Sequence, residues 1–234
     1  MTLFQATERK LPETAIEKTI EQAEPKELQP WSAAEGLRLC RAMKRYRVSR
    51  DEAILTEVQE YFDGWIAAGL PPVRVESTLP MLALVLLWEE NHEPGYAPVI
   101  RTWVEGLLAL PRSPEGALLT EENTVSAATV SQALLFLFRA GIALEKEAWR
   151  NEAKFQLMLH LALLRSRHTG NWDEAYRPQE GRWLPPKEEE QEALLSALRE
   201  LREWLIDSDP MGRLLRALIS CTADSAPSAP PPQP

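Results

Sequence analysis

Apolar residues along this chain recur at helical spacing, and nowhere do they alternate one by one as a half-buried strand requires, so no segment reads as a β-strand. Residues 1 to about 28 are polar and charge-rich, with Ile16, Ile20 and Ala23 marking only a loose helical stripe. From Trp31 to Tyr46 the positions of Leu37, Leu39, Met43 and Tyr46 predict a helix. Ser49-Arg50-Asp51-Glu52 has the form of a capping box and predicts a second helix over about 50–67. Its stripe is Ile54, Val58, Tyr61, Phe62 and Trp65, and Gly69-Leu70-Pro71-Pro72 stops it. The next segment, about 77–88, reads STLPMLALVLLW and is apolar all round, with Pro80 tolerable only in a first turn. An amphipathic helix over about 96–109 follows, carrying Val99, Ile100, Trp103, Leu107 and Leu108. The alternation then repeats: VSAATVSQALLFLF, about 125–138, is nearly all apolar, and about 147–166 has two faces.

A helix without a polar face must be covered on every side, whereas a two-faced helix can border water. Their alternation, at a period of about 50 residues, predicts an all-α protein of antiparallel helix pairs stacked side by side, one helix of each pair inside. Twelve helices so arranged close into an (α/α)6 toroid, and this chain supplies about eight or nine, so a partial toroid is expected. A charged helix over 187–206, with Leu194, Leu198, Leu201 and Leu205 on one face, is the last strong element. The run from Ala226 onward, rich in Pro, Ser and Ala, cannot be helical. The expected division is a polar N-terminal segment over 1–28, a toroid-like domain over 29–221 without its C-terminal hairpins, and a disordered tail over 222–234.

Charge narrows the partners. Asp and Glu number 35 against 26 Lys and Arg, for a net charge of −9, and no basic run interrupts that field, which excludes nucleic acid as the expected partner. No membrane span and no secretion signal is legible, so a cytoplasmic protein is expected. Cys40 and Cys221 are far apart, and with His92, His160 and His168 they match none of the usual zinc spacings. Neither a structural metal nor a cofactor is expected.

Three stretches between Gly69 and Tyr176, about half of the chain, bear on function. The first is GLPPVRVESTLPMLALVLLWEENHEPGYAPVIRTW, and the second is LPRSPEGALL, which is similar to a loop written PRTxEGGF. The third is QALLFLFRAGIAL followed by NEAKFQLMLHLALLRSRHTG and then WDEA at 172–175. In order and separation they resemble the unsaturated rhamnogalacturonyl hydrolases, glycoside hydrolases of families 88 and 105. The resemblance implies an (α/α)6 toroid and removal of a 4,5-unsaturated uronyl residue from pectin-derived oligosaccharides. That reaction is vinyl-ether hydration: a carboxylic acid protonates the double bond, water adds, and the hemiketal falls apart.

By the same resemblance, one acidic residue opens the second buried helix and an aspartate stands in the third. Those positions hold Glu76 and Ser131 here. Glu76 keeps a carboxylate one methylene longer; a serine hydroxyl is far too weak an acid to protonate carbon. A histidine of the family's loop is Thr120. The aromatic and histidine positions after the Thr-Gly turn are replaced by Asn171-Trp172-Asp173, and the cluster that lines the sugar site survives as Gly181-Arg182-Trp183. The candidate substrate-binding set is therefore Trp31, Thr120, Trp172, Asp173, Arg182 and Trp183, with an acidic oligosaccharide as the ligand. Each also has a plainer reading. Glu76 suits a helix start on electrostatic grounds, Asp173 and Glu174 read as solvated loop charges, the tryptophans read as core, and His160 as a packed histidine.

Three functions follow: an unsaturated uronyl hydrolase with impaired catalysis, a non-catalytic domain that binds a sugar or a protein, and a truncated gene product. Missing hairpins would also leave apolar flanks uncovered, so self-association is expected.

Overall fold

The computed structural model describes residues 28–165, 173, 175–184 and 188–204. The first helix, α1 (Ala33–Ser49), begins where the Ser32 hydroxyl accepts from the Glu35 N–H, and it ends at Arg50 in the left-handed region. Helix α2 (Glu52–Ala68) is capped by the Asp51 carboxylate, which accepts from the Ala53 N–H. Ser49 instead accepts from the Asp51 N–H, so the cap lies two residues later than the capping-box pattern places it. A 3₁₀ turn (Val75–Ser77) leads into α3 (Leu79–Asn91), whose Pro80 sits second, where its missing N–H breaks no helical bond. Then come α4 (Tyr96–Leu108), the composite α5, α6 (Glu147–Leu164) and α7 (Glu188–Trp204). Helix α5 starts as Ala127–Thr129, widens through a π-turn (Val130–Leu134) and continues as Leu135–Ala143.

Helices α1, α3 and α5 form an inner layer, with their hairpin partners α2, α4 and α6 outside. Residues 81–87 of α3 and 133–138 of α5 are all buried, while α4 and α6 each keep an exposed face, as the alternation predicts. Gly36 sets how closely α1 and α3 approach: a Cβ there would lie 2.5 Å from the Pro80 nitrogen. At the C-terminal ends of the inner helices an ionic network links them. Arg47 of α1 pairs with Glu89 and Glu90 of α3 at 2.6 and 2.8 Å, Arg50 with Glu90 at 2.6 Å, and Arg139 of α5 with Glu89 at 2.7 Å. Burial opposes charge on Glu90, but the hydrogen bonds from Arg50 and Arg47 win and hold its carboxyl below the usual range. Helix α7 packs on the start of α5, and its Glu200 reaches Lys44 of α1 at 3.1 Å. The fold is thus a two-layer, paired-helix arc, a partial (α/α)6 toroid.

Between the first two hairpins lies an aromatic cluster. The Trp31 ring has the rings of Tyr61, Phe62, Trp65 and Trp103 at centroid distances of 6.1, 6.2, 5.5 and 5.5 Å.

One expectation is overturned: the chain does contain strands. β1 (Val125–Ser126), β2 (Ala175–Arg177) and β3 (Arg182–Leu184) form an antiparallel sheet in that order, with Val125 opposite Tyr176 and Tyr176 opposite Trp183. Strands of two or three residues cannot display an alternation, and β1 pairs with a segment about fifty residues away, so no local pattern announces them. β1 also moves the start of the third inner helix from the predicted 125 to Ala127. No helix of the described residues is long and apolar enough to cross a membrane. The tail over 222–234 and nearly all of the N-terminal segment over 1–28 lie outside the described residues.

Candidate active site

Glu76 sits in the 3₁₀ turn ahead of α3, and that turn is fixed from several directions. The Ser77 hydroxyl accepts from the Arg74 N–H, the Thr78 hydroxyl donates to the Arg74 carbonyl at 2.6 Å, and the Trp31 indole N–H donates to the Ser77 carbonyl at 2.7 Å. The Glu76 side chain is exposed, and its Oε1 accepts from the Glu121 N–H at 3.4 Å. Glu121 in turn pairs with Arg74 at 2.8 Å. Glu76 precedes α3 by three residues and the cap position belongs to Thr78, so the turn, rather than the helix, orients its carboxylate.

Ser131 lies in the π-turn of α5, against which the Glu76 turn packs. The structure therefore brings together the two turns that carry Glu76 and Ser131. Ser131 is half-buried and its hydroxyl donates to the Ala128 carbonyl at 3.2 Å. Thr120 belongs to the loop between α4 and β1. It is nearly buried, and its hydroxyl is 2.7 Å from that of Thr124. A cavity of 290 Å³ beside this loop is bordered by Arg74, Val75, Pro111, Leu119, Thr120 and Asn123. A larger cavity, 490 Å³, opens on the first hairpin beside Arg38, Glu57 and Tyr61 and touches none of the predicted site residues.

The loop is held from behind by α6. Gln156, fully buried, accepts from the Leu118 N–H at 2.9 Å through Oε1 and donates to the Gly116 carbonyl at 2.9 Å through Nε2. His160, one turn on and also fully buried, donates its Nδ1–H to the Gln156 carbonyl at 2.8 Å. Burial pushes its pKa down to about 4, so it is neutral and structural, as the plainer reading has it.

The remaining positions gather at the small sheet. Trp183 is 44% exposed, stacks on Tyr176 at 4.7 Å and donates its indole N–H to the Leu163 carbonyl at 2.8 Å. Asp173 donates its backbone N–H to the Leu164 carbonyl at 2.7 Å, so these two residues together satisfy carbonyls at the C-terminal end of α6. Arg182 is exposed on β3, opposite Arg177. Trp31 is elsewhere: its N–H is spent on Ser77 and its ring is wedged among four aromatics, so it braces the Glu76 turn from within. Trp172 lies outside the described residues.

The family model of Glycosyl Hydrolase Family 88 matches residues 9–193. The chain belongs to Glycosyl Hydrolase Family 88. No curated protein matches it. Among solved structures, a possible member of the GH105 family from Salmonella enterica serovar Paratyphi A superposes with a TM-score of 0.77 at 22% identity, over 86% of this chain and 56% of that one. A possible GH105 member from Klebsiella pneumoniae gives 0.76 at 18% identity, over 96% and 70%. The unsaturated glucuronyl hydrolase from Bacillus sp. GL1 gives 0.60 at 13% identity, over 83% and 62%. These likenesses are of fold, and the chain spans only 56% of the Salmonella protein's length.

For a family 88 chain, sequence reasoning passed over Arg74, Glu121, Tyr176 and Gln156. Arg74 and Glu121 meet across 47 residues and Gln156 holds a loop 38 residues away, so neither contact has a local signal. Tyr176 does have a local signal, because it follows directly on the WDEA match.

Proposed function

We propose that this family 88 chain is of the unsaturated uronyl hydrolase type, holds an acidic oligosaccharide with a 4,5-unsaturated uronyl end at the mouth of its helical arc, and turns it over poorly or not at all. What supports this is the packing of the Glu76 turn against the π-turn that carries Ser131. The glycosaminoglycan-degrading unsaturated glucuronyl hydrolase among the similar structures belongs with this reading. Protonating a vinyl-ether carbon needs a placed acid, and a placed acid contributes roughly 10² to 10⁴-fold in rate. Ser131 offers a hydroxyl bound to a helix carbonyl, and Glu76 lies in water. The test is the loss of double-bond absorbance on unsaturated galacturonyl-rhamnose, comparing the chain with its Ser131→Asp and Glu76→Ala variants. No turnover by the chain and a gain in Ser131→Asp is the expected result. Robust turnover by the unmodified chain, abolished in Glu76→Ala, would place the acid at Glu76 instead.

A second reading, non-catalytic binding, is favoured by Trp183. Its ring is backed by Tyr176 and anchored through its N–H, so an apolar face is presented at little entropic cost, with Arg182 on the same strand. A cytoplasmic location and self-association complete the proposal. Phe155 and Met158 of α6 are 53% and 44% exposed, three residues apart on the outer layer. Sedimentation should show concentration-dependent association that Phe155→Glu weakens; a monomer at all concentrations would refute it.

A further inference from the structure

We propose that Arg74 and Glu76 are the two poles of a site for a carboxylate with a neighbouring hydroxyl, and that Glu121 fills it in this structure as the chain's own stand-in for that ligand. Arg74 stands immediately before the 3₁₀ turn ahead of α3 and Glu76 lies within it, so a cation and an anion are mounted two residues apart. Glu121 touches both. Its backbone N–H donates to Glu76 Oε1 at 3.4 Å, and its carboxylate accepts from Arg74 Nη1 at 2.8 Å. One residue thus supplies a donor for the carboxylate and an anion for the guanidinium. A uronate carries the same two groups, a ring hydroxyl and a carboxylate.

The poles are fixed before anything binds. The Arg74 N–H donates to the Ser77 hydroxyl at 3.2 Å and its carbonyl accepts from the Thr78 hydroxyl at 2.6 Å, so the backbone that carries the guanidinium is held from both sides. The guanidinium itself is only partly engaged. Its described bond to Glu121 runs from Nη1 to a single carboxylate oxygen, whereas its planar fork can take a carboxylate by two parallel bonds. A ligand carboxylate therefore has more to gain at Arg74 than the Glu121 side chain has taken.

The occupant, by contrast, is displaceable. Glu121, Glu122 and Asn123 are the exposed tip of a loop whose buried shoulders, Thr120 and Thr124, are joined by a backbone bond of 2.9 Å and by hydroxyls 2.7 Å apart. The tip can thus turn while the shoulders stay closed. The side chains of Arg74 and Glu121 are 48% and 58% exposed, and exposed pairs hold little. Both residues border the 290 Å³ cavity, whose apolar wall includes Val73, Leu110, Pro111 and Leu119. Polar poles beside an apolar wall suit a sugar ring, which has polar edges and C–H faces. The net charge of −9 repels acidic sugars from the chain as a whole, so the attraction has to come from a cation at the site. That the ligand is the uronyl end of an oligosaccharide rests on the function proposed above; a carboxylate competing with Glu121 for Arg74 does not.

Titration of the full chain with galacturonate, galactose and acetate, read by NMR at the Arg74 Nε–H and at the backbone amide of residue 121, separates the two. Galacturonate should shift both resonances and galactose neither. Acetate, which lacks a hydroxyl for Glu76, should bind more weakly than galacturonate. Glu121→Gln keeps the shape and the backbone N–H but removes the competing charge, and should tighten galacturonate by up to about fivefold. Arg74→Gln should weaken it by at least about tenfold. If galacturonate moves neither resonance, or binds Glu121→Gln no more tightly than the unmodified chain, the site is wrong, and these two results decide even where Arg74→Gln fails to fold. Acetate binding as tightly as galacturonate would overturn the role of Glu76. Galacturonate bound as expected, with unsaturated galacturonyl-rhamnose neither bound nor hydrolysed, would leave the carboxylate site standing and remove the uronyl hydrolase reading. Unsaturated galacturonyl-rhamnose bound equally by the unmodified, Glu121→Gln and Arg74→Gln chains would do the reverse.

Discussion

His160 shows how a single side chain can be read correctly for its role while its consequence waits for the structure. Its folded pKa, about 4, lies below the ordinary histidine value because burial disfavours the cation, and the hydrogen bond to the Gln156 carbonyl offsets only part of that. As pH falls, the unfolded chain therefore takes up its proton first. Stability present above about pH 6.5 is lost progressively toward pH 4, by up to about 3 kcal/mol from this residue. Chemical denaturation at pH 7 and pH 4 should show a smaller fall for His160→Leu than for the unmodified chain, and an equal fall would mean that His160 titrates normally. At Ser131 the sequence shows a hydroxyl where the resemblance implies an acid, and the proposed loss of turnover rests on that identity. Identity was not informative at Trp31, because composition cannot tell an exposed indole from one enclosed by Tyr61, Trp65 and Trp103.

At the scale of elements, what the sequence made legible was set by length. A helix repeats its pattern every turn, so α3 and α5 declare their burial several times over, and α4 and α6 their two faces. The strands around Tyr176 repeat nothing, and their pairing partners lie on other segments. The fit between helices is equally invisible beforehand, and two glycines illustrate it. Replacing a mid-helix glycine by alanine gains up to about 1 kcal/mol from helix propensity alone. At Gly64 a new Cβ meets only the tip of Leu28, 2.8 Å away, which can rotate aside, so Gly64→Ala should stabilise. At Gly36 it meets the Pro80 nitrogen and the Leu79 carbonyl carbon at 2.5 and 2.7 Å, which are backbone and cannot yield without parting α1 from α3. Overpacking costs about 1 to 3 kcal/mol and wins there, so Gly36→Ala should lower the denaturation midpoint. Two midpoints shifted in the same direction would show that propensity, not packing, decides at both sites.

For the molecule as a whole, the arc depends on ties between helices far apart in sequence. Glu89 accepts from both Arg47 and Arg139 and is itself only 15% exposed, so it links the first, second and third inner helices at one point. Glu89→Ala leaves two guanidinium groups short of an anion in a shielded place, and should cost about 2 to 4 kcal/mol with little change in the denaturant slope. A cost below about 0.5 kcal/mol would mean that Arg47 and Arg139 find other acceptors at once. The cluster around Trp31 joins distant segments in another way. Three indoles, from the strap before α1, from α2 and from α4, lie in near contact at fixed mutual angles. Rings so close share their electronic excitation, and their fixed angles make that shared transition chiral. The protein thus carries a built-in optical gauge of whether its first two hairpins are docked, one that is blind to the far end of the arc where α7 lies.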